Sequence, residues 1–166
     1  INLNINGPLE DEVIISLLKQ SSKELFDFYG IPYKQDYLKI LYEYDKKHKP
    51  EDFELFPYVK EAWERTVINL LITNRNRDAT EKLIEHFQLE NYFEEIICAD
   101  DRFPKKPHPG SYEYAIRKFD IDTVVGDRML DFEPAKIYNL DMFVYRNPHL
   151  PLGTHFNDYR YLFNED

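Results

Sequence analysis

The chain has 166 residues, 43% hydrophobic and 31% charged, with a formal net charge of -10. That length suits one main core with a small appendage, and no apolar run approaches the ~18 to 20 residues of a membrane span. The acidic balance argues against nucleic-acid or anionic-membrane partners, which are bound by clustered Lys and Arg, so an anionic ligand would need a local positive site or a metal.

No basic segment followed by an apolar core and a cleavage site opens the chain, and Cys98 is its single cysteine. A reducing, cytoplasmic home is therefore expected. Ile1, Leu3 and Ile5 alternate with Asn2, Asn4 and Asn6 before Gly7-Pro8, the period-2 pattern of a strand ending in a turn. From Leu9 to Tyr29, apolar positions Val13, Ile14, Leu17, Leu18, Leu25 and Phe28 recur at helical spacing, with Gly30 and Pro32 as the stop. Tyr37, Leu38, Leu41 and Tyr42 outline a second helix, so residues 9–52 read as a helical insert in a core formed by 1–8 and 53–166.

Pro57 opens a short helix through Trp63, and Thr66 to Ile72 is the most continuous apolar run, as expected of a central parallel strand covered on both faces. It ends in Thr73-Asn74-Arg75. Asp78 with Glu81 resembles a capping box ahead of Ala79, Leu83, Ile84 and Phe87. A strand from Glu95 to Ala99 leads into the loop Asp100 to His108, whose acid pair Asp100-Asp101 reads as solvated. Pro109 then opens a helix carrying Tyr112, Ala115, Ile116 and Phe119.

The run Ile121 to Asp131 is the most informative. Val124 and Val125 stop at Gly126, and two carboxylates follow, Asp127 and Asp131. This segment alone fits two readings equally: a buried strand delivering acids to its tip, or a strand-to-helix turn in which Asp131 caps the next helix. A helix from about Asp131 to Tyr138 and a strand from Asp141 to Tyr145 complete the alternation, and Arg146 to Asp166 reads as loop plus a short helix. Alternating β and α segments imply an α/β doubly wound parallel sheet with its ligand site at the carboxyl ends of the strands.

Those ends present Asn4 and Asn6, Thr73 and Asn74, the loop carrying Lys105 and Lys106, and Asp127 with Asp131. Hydroxyl and amide donors with a lysine suit a phosphate, and two carboxylates suit a hard cation. The five histidines lack zinc-site spacing and read as surface or loop residues, with His108 alone beside the crevice. Cys98 reads as a buried small hydrophobe. Phe28, Tyr37 and Tyr42 could line the crevice from above.

The motifs Leu70-Leu71-Ile72-Thr73-Asn74, Lys106-Pro107-His108-Pro109 and Gly126-Asp127 with Asp131 resemble, in order and spacing, the haloacid dehalogenase (HAD) superfamily. The likeness is to its phosphatase-like branch with a small helical cap inserted after the first strand, and it covers nearly the whole chain. It implies that Thr73 binds the phosphoryl group, with Asn74 beside it, that Lys106 neutralises it, and that Asp127 and Asp131 hold Mg2+ directly or through water.

The first motif departs from the pattern. Where the family has Asp-x-Asp-Gly-Thr, this chain has Asn4-Ile5-Asn6-Gly7-Pro8. By the resemblance, Asn4 replaces the nucleophile and Asn6 the general acid and base. An amide neither attacks phosphorus nor transfers a proton near neutral pH. The resemblance also implies weakened Mg2+ binding, since two of the four surrounding acids are gone.

Three readings follow. The first is a phosphatase-like pocket for a small phosphorylated metabolite, largely retained but inactive or very weak. The second is an active Mg2+-dependent phosphatase whose amides were introduced or are bypassed by a metal-bound water. The third is a regulatory module that senses a phosphorylated ligand. A receiver-type signalling domain ranks lower, because its acid pair belongs at the first strand.

Overall fold

The computed structural model describes residues 10–20, 22–30 and 48–163. The strand expected over residues 1–6, with Asn4 and Asn6, and the second insert helix around Tyr37 and Tyr42 lie outside the described residues.

The helix expected from Leu9 to Tyr29 is described as α1 (Asp11–Gln20) and α2 (Ser22–Phe28), with residue 21 between them outside the described residues. They pack on each other, and α2 is followed by the buried Tyr29 and by Gly30 in the left-handed region, φ 65. A 3-10 turn (Pro50–Asp52) and α3 (Val59–Glu64) lead to β1 (Leu70–Ile72). Then come α4 (Arg77–Phe87), β2 (Glu95–Ile97), α5 (Gly110–Phe119), β3 (Thr123–Gly126), α6 (Met129–Ile137) and β4 (Asp141–Tyr145). A further strand β5 (Thr154–Phe156) and a 3-10 turn (Tyr159–Leu162) end the described chain.

Among the described residues all strand pairs are parallel. β1 pairs β2 with Leu70 opposite Glu95, and β3, β4 and β5 pair in that order, with Gly126 opposite Val144 and Tyr145 opposite Phe156. Among the described residues the two groups share no ladder. Phe132 of α6, Val144 of β4 and Leu150 form a core cluster, with Val124, Met129, Met142 and Leu152 packed against it. Burying a side chain of that size stabilises by roughly 1.5 to 3 kcal/mol relative to leaving it exposed.

Three local expectations are corrected. The apolar run from Thr66 yields a strand of only three residues, because Thr66 and Asn69 close a turn on α3. Thr66 Oγ1 donates to Trp63 O (2.8 Å) and Asn69 Oδ1 (2.7 Å), Asn69 Nδ2 donates to Trp63 O (2.9 Å), and Val67 is left fully exposed. α4 is capped by Asn76, whose side chain accepts from Ala79 N at 2.8 Å, and not by Asp78. Asp78 instead pairs with Lys82 (2.7 Å) and Glu81 with Arg77 (3.6 Å), each one helical turn away. The tail contains β5 as well as a 3-10 turn; two prolines and Gly153 hide so short a strand from any periodicity.

No described helix is long and apolar enough to cross a membrane. Cys98 is buried as expected, and burial pushes its thiol pKa up. His86, His108, His149 and His155 are exposed.

Candidate active site

The strand tips of both groups meet at Lys106. The Lys106–Pro107 peptide is cis. Both ends of the Asn74 side-chain amide are taken by Lys106: Asn74 Nδ2 donates to Lys106 O (2.8 Å), and Lys106 N donates to Asn74 Oδ1 (2.9 Å). The loop after β1 thereby fixes the loop before α5. From that anchor Lys106 Nζ reaches inward and donates to Ile72 O at the end of β1 and to Asp131 Oδ1 on α6, both at 2.6 Å. One ammonium therefore ties the tips of β1 and β3–α6. The two side chains are only 10% and 11% exposed, so this ion pair is screened far less than a surface pair.

Thr73 stands next to this lysine. Its N–H donates to Ile97 O (2.9 Å), and its Oγ1 accepts from Arg75 N (3.1 Å). A hydroxyl whose lone pair is engaged that way keeps its proton to donate to an anion. A small recess beside it is lined by Thr73, Asn74, Lys106 and Ser111, and the buried Ser111 Oγ has no hydrogen-bond partner.

On the β3 side, Asp131 meets both readings of its segment. One carboxylate oxygen accepts from Lys106, while the other accepts from Arg128 N (3.2 Å) and so satisfies a free donor at the start of α6. Tyr112 OH donates to Asp131 O at 2.9 Å. Gly126 passes so close that an added Cβ would lie 2.9 Å from Asp131 Cβ and Oδ2.

Asp127 is held from behind. Asn147, 1% exposed, donates from Nδ2 to Asp127 O (2.6 Å) and accepts from His149 N (3.2 Å). The Asp127 carboxylate is half-exposed, with Lys19 Nζ of α1 at 3.9 Å from its Oδ2. Its pKa is raised, first by desolvation and then by the like charge of Asp131, against the opposing charges of Lys19, Arg128 and Lys106. Arg128 Nε is buried without a hydrogen-bond partner.

The structure thus gathers Thr73, Asn74, Lys106, Asp127 and Asp131 around one crevice, while Asn4 and Asn6 lie outside the described residues. His108 is exposed, its Nδ1 accepting from Gly110 N at 3.1 Å, and Phe28 is 57% exposed. The acid pair Asp100-Asp101 is not a solvated loop. Asp101 accepts from Arg77 Nη2 (2.5 Å) and Cys98 N (2.7 Å), and Asp100 accepts from Arg77 N (2.8 Å), which locks the tip of β2 to the start of α4.

Sequence reasoning missed Lys19, Asn147 and Arg128. Asn147 had a signal, a polar residue just past the end of a strand; Lys19 had none, because it arrives from a distant helix. A separate cavity of ≈ 540 Å³ opens at the opposite ends of β1 and β2, between Trp63, Tyr92 and Phe93, away from these residues.

The donor set does not fit a divalent metal well. Mg2+ calls for six oxygens in near-octahedral array. Asp131 has both oxygens engaged, Asp127 faces an ammonium, and no group of three or more His, Cys, Asp or Glu gathers as a metal site among the described residues.

Comparison with known proteins agrees with the fold. The family described as haloacid dehalogenase-like hydrolase matches residues 2–145. No curated protein matches the chain. Among solved structures, a Lactobacillus plantarum protein assigned as a phosphoglycolate phosphatase is 18% identical, with TM-score 0.74 over 95% of this chain and 84% of that one. A Haemophilus somnus protein assigned the same activity is 19% identical, with TM-score 0.66 over 95% and 81%. A B. bronchiseptica D,D-heptose 1,7-bisphosphate phosphatase, solved with magnesium and phosphate, is 20% identical, with TM-score 0.53 over 67% and 82%.

Proposed function

Because the chain belongs to the haloacid dehalogenase-like hydrolase family, we propose that it binds a small phosphorylated metabolite in a phosphatase-type pocket whose hydrolytic step is disabled or very weak. The observation that carries this reading is Lys106. It is held at 2.6 Å from both Ile72 O and Asp131 Oδ1, beside a threonine hydroxyl free to donate, while the sequence puts amides at positions 4 and 6.

In this reading Thr73 and Lys106 contact the phosphoryl oxygens, and Asn74 serves chiefly by holding the Lys106 main chain in place. Asp127 and Asp131 stand beside the pocket with Lys19 and Lys106 as their counter-charges. Asn4 and Asn6 stand at the positions of the nucleophile and the general acid. Neither amide forms a phosphoenzyme or shuttles a proton near neutral pH, so ligand is held and not turned over. A sensing role, in which the occupied pocket is read by a partner, is compatible with this chemistry. The free, buried Cys98 supports a reducing compartment such as the cytoplasm.

The test is Mg2+-dependent hydrolysis of para-nitrophenyl phosphate by this chain beside its Asn4→Asp/Asn6→Asp double substitution. The native chain should be silent and the double substitution active. Comparable activity in both would mean that another group attacks phosphorus, and the reading would fall.

A further inference from the structure

We propose that Lys19 is a built-in counter-cation for Asp127, so that this pocket takes phosphate without a divalent ion. The inference rests on the phosphate-pocket reading above and deepens it.

The position of Lys19 is set on both sides. In the last turn of α1, its Nζ donates to Arg146 O at 2.8 Å and stands 3.9 Å from Asp127 Oδ2. Arg146 and Asn147 are consecutive, and together they frame the contact. Arg146 lies in the left-handed region, φ 44, pinned by its N–H to Phe156 O and its Nε to Asn157 O, both at 3.0 Å. Asn147 holds the Asp127 carbonyl at 2.6 Å. The lysine and the carboxylate are thus registered against one short stretch of backbone at the tip of β4. Packing of α1 against α6 brings the two together.

The charges around the crevice then close without a metal. Asp131 is answered by Lys106 at 2.6 Å and Asp127 by Lys19, while Arg128 adds a third positive side chain between the two acids in sequence. Among the described residues, these three cations stand against two carboxylates. A dication approaching Asp127 would meet the charge of Lys19 3.9 Å from its Oδ2. A phosphate dianion meets positive charge already in place.

The experiment is calorimetric titration of the full chain with inorganic phosphate, in EDTA and in excess Mg2+, for the native protein, Lys19→Gln and Lys19→Arg. Native affinity should agree within about twofold in the two buffers, whereas Lys19→Gln should lose about tenfold in EDTA and regain it with Mg2+. Lys19→Arg should behave as native. A structural role for Lys19 alone would not create that metal dependence. Native binding only in Mg2+, or Lys19→Gln equal to native in EDTA, overturns the inference and leaves the phosphate pocket standing. No phosphate binding in either buffer overturns the pocket and the inference together.

Discussion

At the scale of single residues, the site depends on how closely groups approach one carboxylate. Asp131 is held by Lys106, by Arg128 N and by its place in α6, so it has little freedom to yield to an intruding atom. Gly126→Ala would place a methyl group 2.9 Å from it. We expect that substitution to cost ~1 to 3 kcal/mol in urea denaturation and to weaken phosphate binding as Asp131 is pushed off Lys106. An unchanged unfolding midpoint would show that the carboxylate can move aside. The sequence shows Gly126 as the stop of a strand, which is correct, but its reason is the space taken by a side chain five positions later. That reason exists only once α6 folds back over the strand. That Lys106, Thr73 and Asp127 lie near one another was legible because each stands just past a strand or in the loop that follows one. Asn147 acts through a backbone carbonyl, a role many polar residues could fill.

At the scale of elements, the junction between β2 and α4 shows where local pattern misleads. Asn76 and Asp78 both have capping chemistry, and Asp78 has the better-placed glutamate three residues on. The tertiary structure decides otherwise, since Asp100 and Asp101 capture the Arg77 main chain and guanidinium and so fix where the helix begins. Burial tends to raise the Asp101 pKa, but the bonds from Arg77 and from Cys98 N more than offset it and hold it below the ordinary value of 3.8. A group depressed in the folded state stabilises fully above its unfolded pKa, and that contribution is lost as pH falls through the folded one. Acid should therefore loosen this junction below about pH 4, and Asp101→Asn should flatten that limb in thermal melts between pH 2 and 6 while lowering the melting temperature at pH 7. Equal acid limbs in the two proteins would show that the junction carries no pH-linked stability.

At the scale of the whole molecule, the order of strands and helices was legible because each unit carries its own punctuation: a β-branched run, then a Gly, Asn or Pro, then a 3.6-residue period. β5 was not, because a three-residue strand has no period and is recruited by the exposed side of β4. Charge was legible outright. With a net charge of -10 and an isoelectric point near 5.0, solubility should pass through a minimum near pH 5, visible as a maximum in light scattering.

At that minimum, mutual repulsion between molecules vanishes and the outer rims of the sheet decide what happens next. Among the described residues the ladders end on β1 and β2 in one group and on β3 and β5 in the other, each strand three or four residues long. β2 carries Glu95 with Lys118 bound to it, and β5 follows Pro151 and a glycine in a left-handed turn. So brief a row of unpaired amides is a poor template for a neighbour's strand. Molecules brought together there should cluster loosely and redissolve when pH is raised, without converting to fibrous, cross-paired aggregates.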